Sequence, residues 1–179
     1  MSKDSNTKTC FIMMPIGEVE TYTSTHFKRV YEHLIKPAVE KAGFKPIRAD
    51  KIKKTNYIMI DIIKKLIDSD MALCDISSKN PNVLYELGIR HSFNLPVVIL
   101  KDKKTNRMFD IQGIRDVEYD GTLRIDLVNE KILELKDVIK NTYNEMKKED
   151  EVNSIIQLLG INSANINSTT ELTGETSLL

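Results

Sequence analysis

Apolar and polar positions follow two rhythms along this chain, short continuous apolar runs and longer three-four spacings, and the two alternate. Residues 8 to 14, Lys-Thr-Cys-Phe-Ile-Met-Met, form the first run, the pattern of a strand buried on both faces. Pro15 and Gly17 stop it. Phe27, Val30, Tyr31, Leu34, Ile35, Ala38, Val39 and Ala42 then mark one stripe of a helix from about His26 to Ala42, with Gly43 as its C-terminal stop. Pro37 removes one backbone hydrogen bond inside it and predicts a kink. Phe44 to Ala49 reads as a second strand, and Pro46 points to an edge position. A basic loop, Lys51 to Lys54, leads to a helix with Met59, Ile62, Ile63, Leu66 and Ile67 on one face.

The third unit is the most informative. An apolar run, Met71 to Cys74, ends abruptly in Asp75 and two serines. An Asn80-Pro81-Asn82 turn follows, and a helix begins with Val83, Leu84, Leu87 and Gly88 on its apolar face and His91 near the centre. Leu95 to Leu100 is the fourth strand, with Pro96 tolerable as an early residue. A polar, hairpin-like segment, Lys101 to Arg107, precedes a short fifth strand near Asp116 to Tyr119. The last helix, about Asp126 to Met146, carries Val128, Ile132, Leu135, Ile139, Tyr143 and Met146 on one side.

Strands separated by helices of this length imply a parallel sheet with right-handed crossovers. The fold class is therefore α/β, a flavodoxin-like three-layer α/β/α sandwich with a five-stranded, mainly parallel sheet. One domain is expected over residues 1–150. Residues 151–179 hold a short apolar piece, Ile155 to Leu159, and an Asn/Ser/Thr-rich stretch without periodicity, expected as a mobile tail.

Composition narrows the function classes. Lysine plus arginine equal aspartate plus glutamate at 26 each, so no global field favours nucleic acid or an anionic membrane. No apolar run reaches the roughly 18 residues that span a bilayer. The N-terminus lacks the apolar core of a secretory signal, and Cys10 and Cys74 both sit in apolar runs as buried thiols, so a reducing cytoplasm is the default compartment. His26 and His33 have no metal spacing, and no metal or cofactor is expected.

Candidate chemistry gathers around the third strand, because ligands of open α/β sheets bind beyond the carboxyl ends of strands. At roughly 100° per residue, Glu86 lies about 130° from the centre of its helix's apolar face, on the side of Asn82 and Arg90. The helix dipole favours an ionised carboxylate there, which can act as a nucleophile or stabilise a cationic transition state. Spacing alone leaves a second reading open, a surface glutamate paired with Arg90. Asp75 is placed to bind a ribose hydroxyl or orient Glu86, or to cap the following turn. Ser77, Ser78, Asn80 and Asn82 offer hydroxyls and amides suited to sugar or phosphate, with Asn82 also a candidate N-cap. The loop from Pro15 to Thr25, with Gly17 in it, opens a helix and can present backbone N–H groups to a phosphate, though it is neither a P-loop nor a dinucleotide fingerprint. Arg48 and Asp50, with the lysines that follow, stand at the end of strand two, either as contacts to a base or phosphate or as a solvated face.

These residues resemble a family. Cys10-Phe-Ile-Met-Met-Pro-Ile-Gly17, Ile35-Lys-Pro-Ala38, Arg48-Ala-Asp50 and the block from Cys74 to Gly88 are similar to nucleoside 2-deoxyribosyltransferase-like proteins, related in fold to TIR-type NAD glycohydrolases. The resemblance covers about residues 8 to 120. It implies that Glu86 attacks or stabilises the anomeric carbon of a nucleoside, nucleotide or NAD, that Asp75 holds the sugar or base, and that the loop around Gly17 closes over the ligand. It implies a homo-oligomer and a setting in signalling or phage defence. The departure is Asn80-Pro81-Asn82-Val-Leu where the family's transferases carry a further aspartate and a Gly-Thr pair. That leaves hydrolysis, base transfer and a nucleotide-binding sensor or assembly module all open.

Overall fold

The computed structural model describes residues 7–49, 58–111 and 113–146. Its sheet is built from β1 (Thr9–Met13), β2 (Lys45–Arg48), β3 (Met71–Asp75), β4 (Val97–Asp102) and β5 (Asp116–Tyr119). They are ordered β2-β1-β3-β4-β5, and every neighbouring pair is parallel. Strands β1, β3 and β4 are buried on both faces, which is why their sequences read as unbroken apolar runs. Asp50, the Lys51–Lys54 run and residues 147–179 lie outside the described residues.

Alternate side chains feed two cores. Cys10, Ile12, Met71, Leu73, Val98, Leu100, Val117 and Tyr119 pack beneath α1 (His26–Val30), α2 (Lys36–Lys41) and α5 (Ile125–Met146). Phe11, Met13, Ala72, Cys74, Val97 and Ile99 pack beneath α3 (Ile58–Asp68) and α4 (Pro81–Ser92), which contribute Leu66, Val83 and Leu87. Among the described residues no helix is long and apolar enough to cross a membrane.

Helices α1 and α2 are halves of one rod joined by a π-helical stretch, Tyr31–Ile35. Pro37 follows immediately. It has no N–H and crowds the carbonyl four residues back, and the wider π turn accommodates both effects. The rod closes at Gly43, whose φ of 92° suits a residue without a Cβ. The Gly43 N–H bonds to the Glu40 carbonyl and the Phe44 N–H to the Val39 carbonyl, the paired closure of a Schellman motif. Pro46 lies on an edge strand, as its missing N–H requires.

Three sequence expectations are corrected. Strand β4 does not stop at Leu100 but runs through Lys101 and Asp102, both buried; Lys101 pairs with Glu118 of β5, so the strand keeps its charged end inside the ladder. Met59 is exposed, and Leu66 alone of the predicted stripe on α3 is fully buried, because the helix rests on the sheet mainly through its C-terminal turn. Helix α4 is capped by Asn80, not Asn82. Pro81 takes the first helical position, where a missing N–H costs nothing, and Asn80 Oδ1 accepts from the N–H groups of Asn82 (3.0 Å) and Val83 (3.4 Å).

Candidate active site

The strand order reverses direction between β1 and β3, the point beyond whose carboxyl ends open α/β sheets bind their ligands. Helix α4 packs against both strands and carries Glu86 over this end of the sheet. Cys74, the last apolar residue of β3, is paired in register with Met13 of β1. Its thiol is pushed well up, first by burial and then by the negative charges of Asp75 and Glu86, which both bear on it.

Glu86 is half-buried and makes no hydrogen bond or ion pair among the described residues. Burial alone pushes its carboxyl up to about 7. The dipole expectation of a firmly ionised carboxylate is therefore corrected. Glu86 is the sixth residue of α4, beyond the first turn in which the dipole acts, and desolvation wins. Pairing with Arg90 is corrected too. Arg90 is fully buried, and its guanidinium donates to the carbonyl oxygens of Leu66, Ile67, Ser69 (3.0 Å) and Pro96 (3.1 Å), tying the end of α3 to the start of β4.

Asp75 points to the other face. It is fully buried; its Oδ1 accepts from the Ser77 N–H at 3.0 Å, and its Oδ2 accepts from the Tyr119 hydroxyl at 3.1 Å. Of its two sequence readings, the turn-capping one describes this geometry. Burial lifts its carboxyl to about 6 against the pull of those donors, and Asp102 adds to the lift. Because the single Tyr119 proton goes to Asp75, the 3.2 Å contact between Ser77 Oγ and Tyr119 must be donated by Ser77. Ser77 Oγ in turn accepts the Asp102 N–H at 2.9 Å. Asp102 Oδ2 accepts from the Tyr22 hydroxyl (2.9 Å) and Oδ1 from the Thr105 N–H (2.9 Å), while Thr105 Oγ1 accepts the Ser78 N–H (3.2 Å). One continuous chain of hydrogen bonds thus ties the loops after β1, β3 and β4 to β5.

The remaining candidates are dispersed. Pro15 is buried and Gly17 is exposed, with open space where a Cβ would stand. Arg48 is buried, its guanidinium 4.4 Å from the centre of the Tyr31 ring. Asn80 is committed to its cap and Asn82 is exposed on the first turn of α4. The structure brings Asp75 and Ser77 together directly, and it sets Glu86 on the opposite side of β3 from both. Tyr22 belongs to the candidate loop Pro15 to Thr25, whereas Asp102, Thr105 and Tyr119 were not marked as site residues by the sequence pattern. The available signal was position, since Asp102 and Tyr119 are the last residues of parallel strands, directly in register. Among the described residues no three His, Cys, Asp or Glu side chains converge on a metal position.

No family model and no curated protein matches the sequence. Among solved structures, a 2-deoxyribosyltransferase from the psychrotolerant bacterium Bacillus psychrosaccharolyticus, characterised as a biocatalyst for synthesis of antiviral and antitumoral nucleosides, is similar in backbone. Its TM-score is 0.50 at 12% identity, covering 71% of this chain and 95% of that one. The class is therefore a flavodoxin-like α/β protein with the nucleoside deoxyribosyltransferase fold.

Proposed function

We propose that this protein cleaves N-glycosidic bonds of a nucleoside, nucleotide or NAD, by hydrolysis or by transfer to a second base, with Glu86 as the reacting carboxylate. The observation that carries the reading is Glu86 itself. A half-buried carboxylate without a partner costs stability, and this one stands on the helix that follows β3, one of the two strands between which the order reverses. The backbone likeness to a 2-deoxyribosyltransferase supports the fold this chemistry uses.

As the C1′–N bond lengthens, its electron pair leaves with the base and C1′ gains oxocarbenium character. A carboxylate beneath C1′ stabilises that charge, or closes on it to form a glycosyl ester. Water then releases the free sugar and returns the carboxylate, or a second base takes the sugar on. A carboxyl raised to about 7 is a more basic, more nucleophilic oxygen once ionised. Asp75 acts here by holding the β3–α4 turn through Ser77.

The test is incubation with NAD, deoxyribonucleosides and nucleoside 5′-monophosphates, with and without a second base, followed by chromatography for released or exchanged base. Base release by the wild type and not by Glu86→Gln supports the proposal. No release from any substrate, together with a ligand-induced thermal shift, replaces it with a nucleotide-binding sensor.

A further inference from the structure

Three loops at the carboxyl end of the sheet enclose a second feature, whose lining does not include Glu86. Thr21 and Tyr22 follow β1, Ser78 and Lys79 follow β3, and Lys104, Thr105 and Asn106 follow β4; together they line a cleft of about 340 Å³. That volume is within the range of small-molecule sites.

Its walls are fixed before any ligand arrives. Ser78 N–H to Thr105 Oγ1, Thr105 N–H to Asp102 and Tyr22 O–H to Asp102 join the three loops to one another. The charge of the lining is one-sided. Lys79 and Lys104 are both exposed, neither is in an ion pair among the described residues, and no acid lines the cleft. Asp102 stands behind the wall, fully buried, with both oxygens already accepting. Lys104 Nζ lies 5.5 Å from the Tyr22 ring centre, against one wall.

Ser78 adds an independent observation. Its Oγ is buried and has no hydrogen-bond partner, although nearly all buried hydroxyls have one. Its backbone is also held at φ 64°, and Lys79 at φ 51°, a conformation unusual for residues with a Cβ. A strained turn in the cleft wall that holds one buried orphan hydroxyl beside one free ammonium is accounted for by a ligand oxygen that carries negative charge.

We infer that this cleft binds a phosphoryl group, with Lys79 and Lys104 balancing its charge and Ser78 Oγ donating to one of its oxygens. The inference stands whether or not Glu86 cleaves a glycosidic bond.

Thermal unfolding at constant ionic strength tests it, with chloride, inorganic phosphate, a nucleoside 5′-monophosphate and the parent nucleoside as additives. Phosphate and the monophosphate are expected to raise the midpoint over chloride, with the unphosphorylated nucleoside at least tenfold weaker than its monophosphate. Equal affinity for phosphate and monophosphate identifies free phosphate as the ligand; tighter monophosphate binding identifies a phosphorylated metabolite. The double variant K79E/K104E should lose at least tenfold in affinity while its chloride midpoint stays unchanged. Ser78→Ala, which keeps both charges, should lose severalfold, and E86Q should retain the phosphate response. No shift with either phosphate, or an undiminished shift in both cleft variants, overturns the inference.

Discussion

Glu86 and Arg90 stand one helical turn apart on α4 and do not pair. Arg90 turns inward and spends its donors on the carbonyl oxygens of Leu66, Ile67, Ser69 and Pro96. Glu86 is left half-buried with no counter-charge, and its carboxyl rises to about 7. A surface pair at this spacing contributes only about 0.3–0.5 kcal/mol. Buried carbonyls at the end of α3 left without a donor cost far more, which decides where the guanidinium goes. The same choice leaves a basic carboxylate without a partner on α4.

Replacing Glu86 by Gln separates activity from stability. Base release is expected to fall by about 10³-fold or more, since the group that meets the developing charge is gone. Stability should move the other way. The folded carboxyl titrates near 7 against 4.5 when unperturbed, so its contribution is full below 4.5 and is lost as pH rises through 7. Urea unfolding should show the variant gaining on the wild type from pH 5 to pH 8, by on the order of 2 kcal/mol.

The pH profile of kcat/KM reports the role of that carboxylate. If Glu86 reacts as the anion, activity rises with pH along a limb with an apparent pKa near 7 and then levels. A limb that falls through the same pH assigns Glu86 to proton donation instead. Initial rates at constant ionic strength between pH 5 and 9 decide between them.

Arg90→Met keeps most of the side-chain volume and removes every donor. The carbonyl oxygens of Leu66 and Ser69 at the end of α3 then lose their donor in a dry site, while that of Pro96 keeps only the Ala72 N–H, and the expected loss is about 3–5 kcal/mol. Chemical denaturation measures it. A loss below about 1 kcal/mol shows that water reaches those carbonyls.

Tyr119→Phe removes the hydroxyl that donates to Asp75 and receives from Ser77. That donor favours the ionised Asp75, whose carboxyl titrates near 6 in the fold against an ordinary 3.8. The variant's Asp75 should titrate higher still. Its stability deficit should be small at pH 5 and grow to about 1–2 kcal/mol by pH 8, as the unsupported carboxylate ionises. Unfolding curves at the two pH values test this, and a deficit independent of pH rejects it.

Removing the cap is the local test of how α4 is held. Asn80→Ala leaves the Asn82 and Val83 N–H groups without their acceptor and should cost about 1 kcal/mol, measured by thermal unfolding. Asn82→Ala, at a position the structure places inside the helix, should cost much less.

The sequence by itself determined the sheet and the order of its layers. Apolar runs at 8–14, 71–74 and 95–100, too short for helices and spaced by helical stripes, read as strands covered on both faces, and the stripes on α1, α2 and α5 face that sheet. Pro46 placed β2 at an edge, Pro37 marked the irregular turn, and Gly43 marked the end of the rod. It also put Asp75 at the end of β3 and Glu86 on the helix that follows. Only the tertiary structure decided the electrostatics. Whether Glu86 pairs with Arg90 depends on carbonyls of residues 66 to 69 and 96, which no local spacing brings near. Lys101 and Asp102 read as loop because charge marks a surface in a local pattern; inside, Glu118, Tyr22 and Thr105 supply partners from distant elements. Local periodicity reports which face of an element is apolar. It carries no information about which polar groups meet once the faces have packed or how deeply each is buried, and these set the protonation of Asp75 and Glu86.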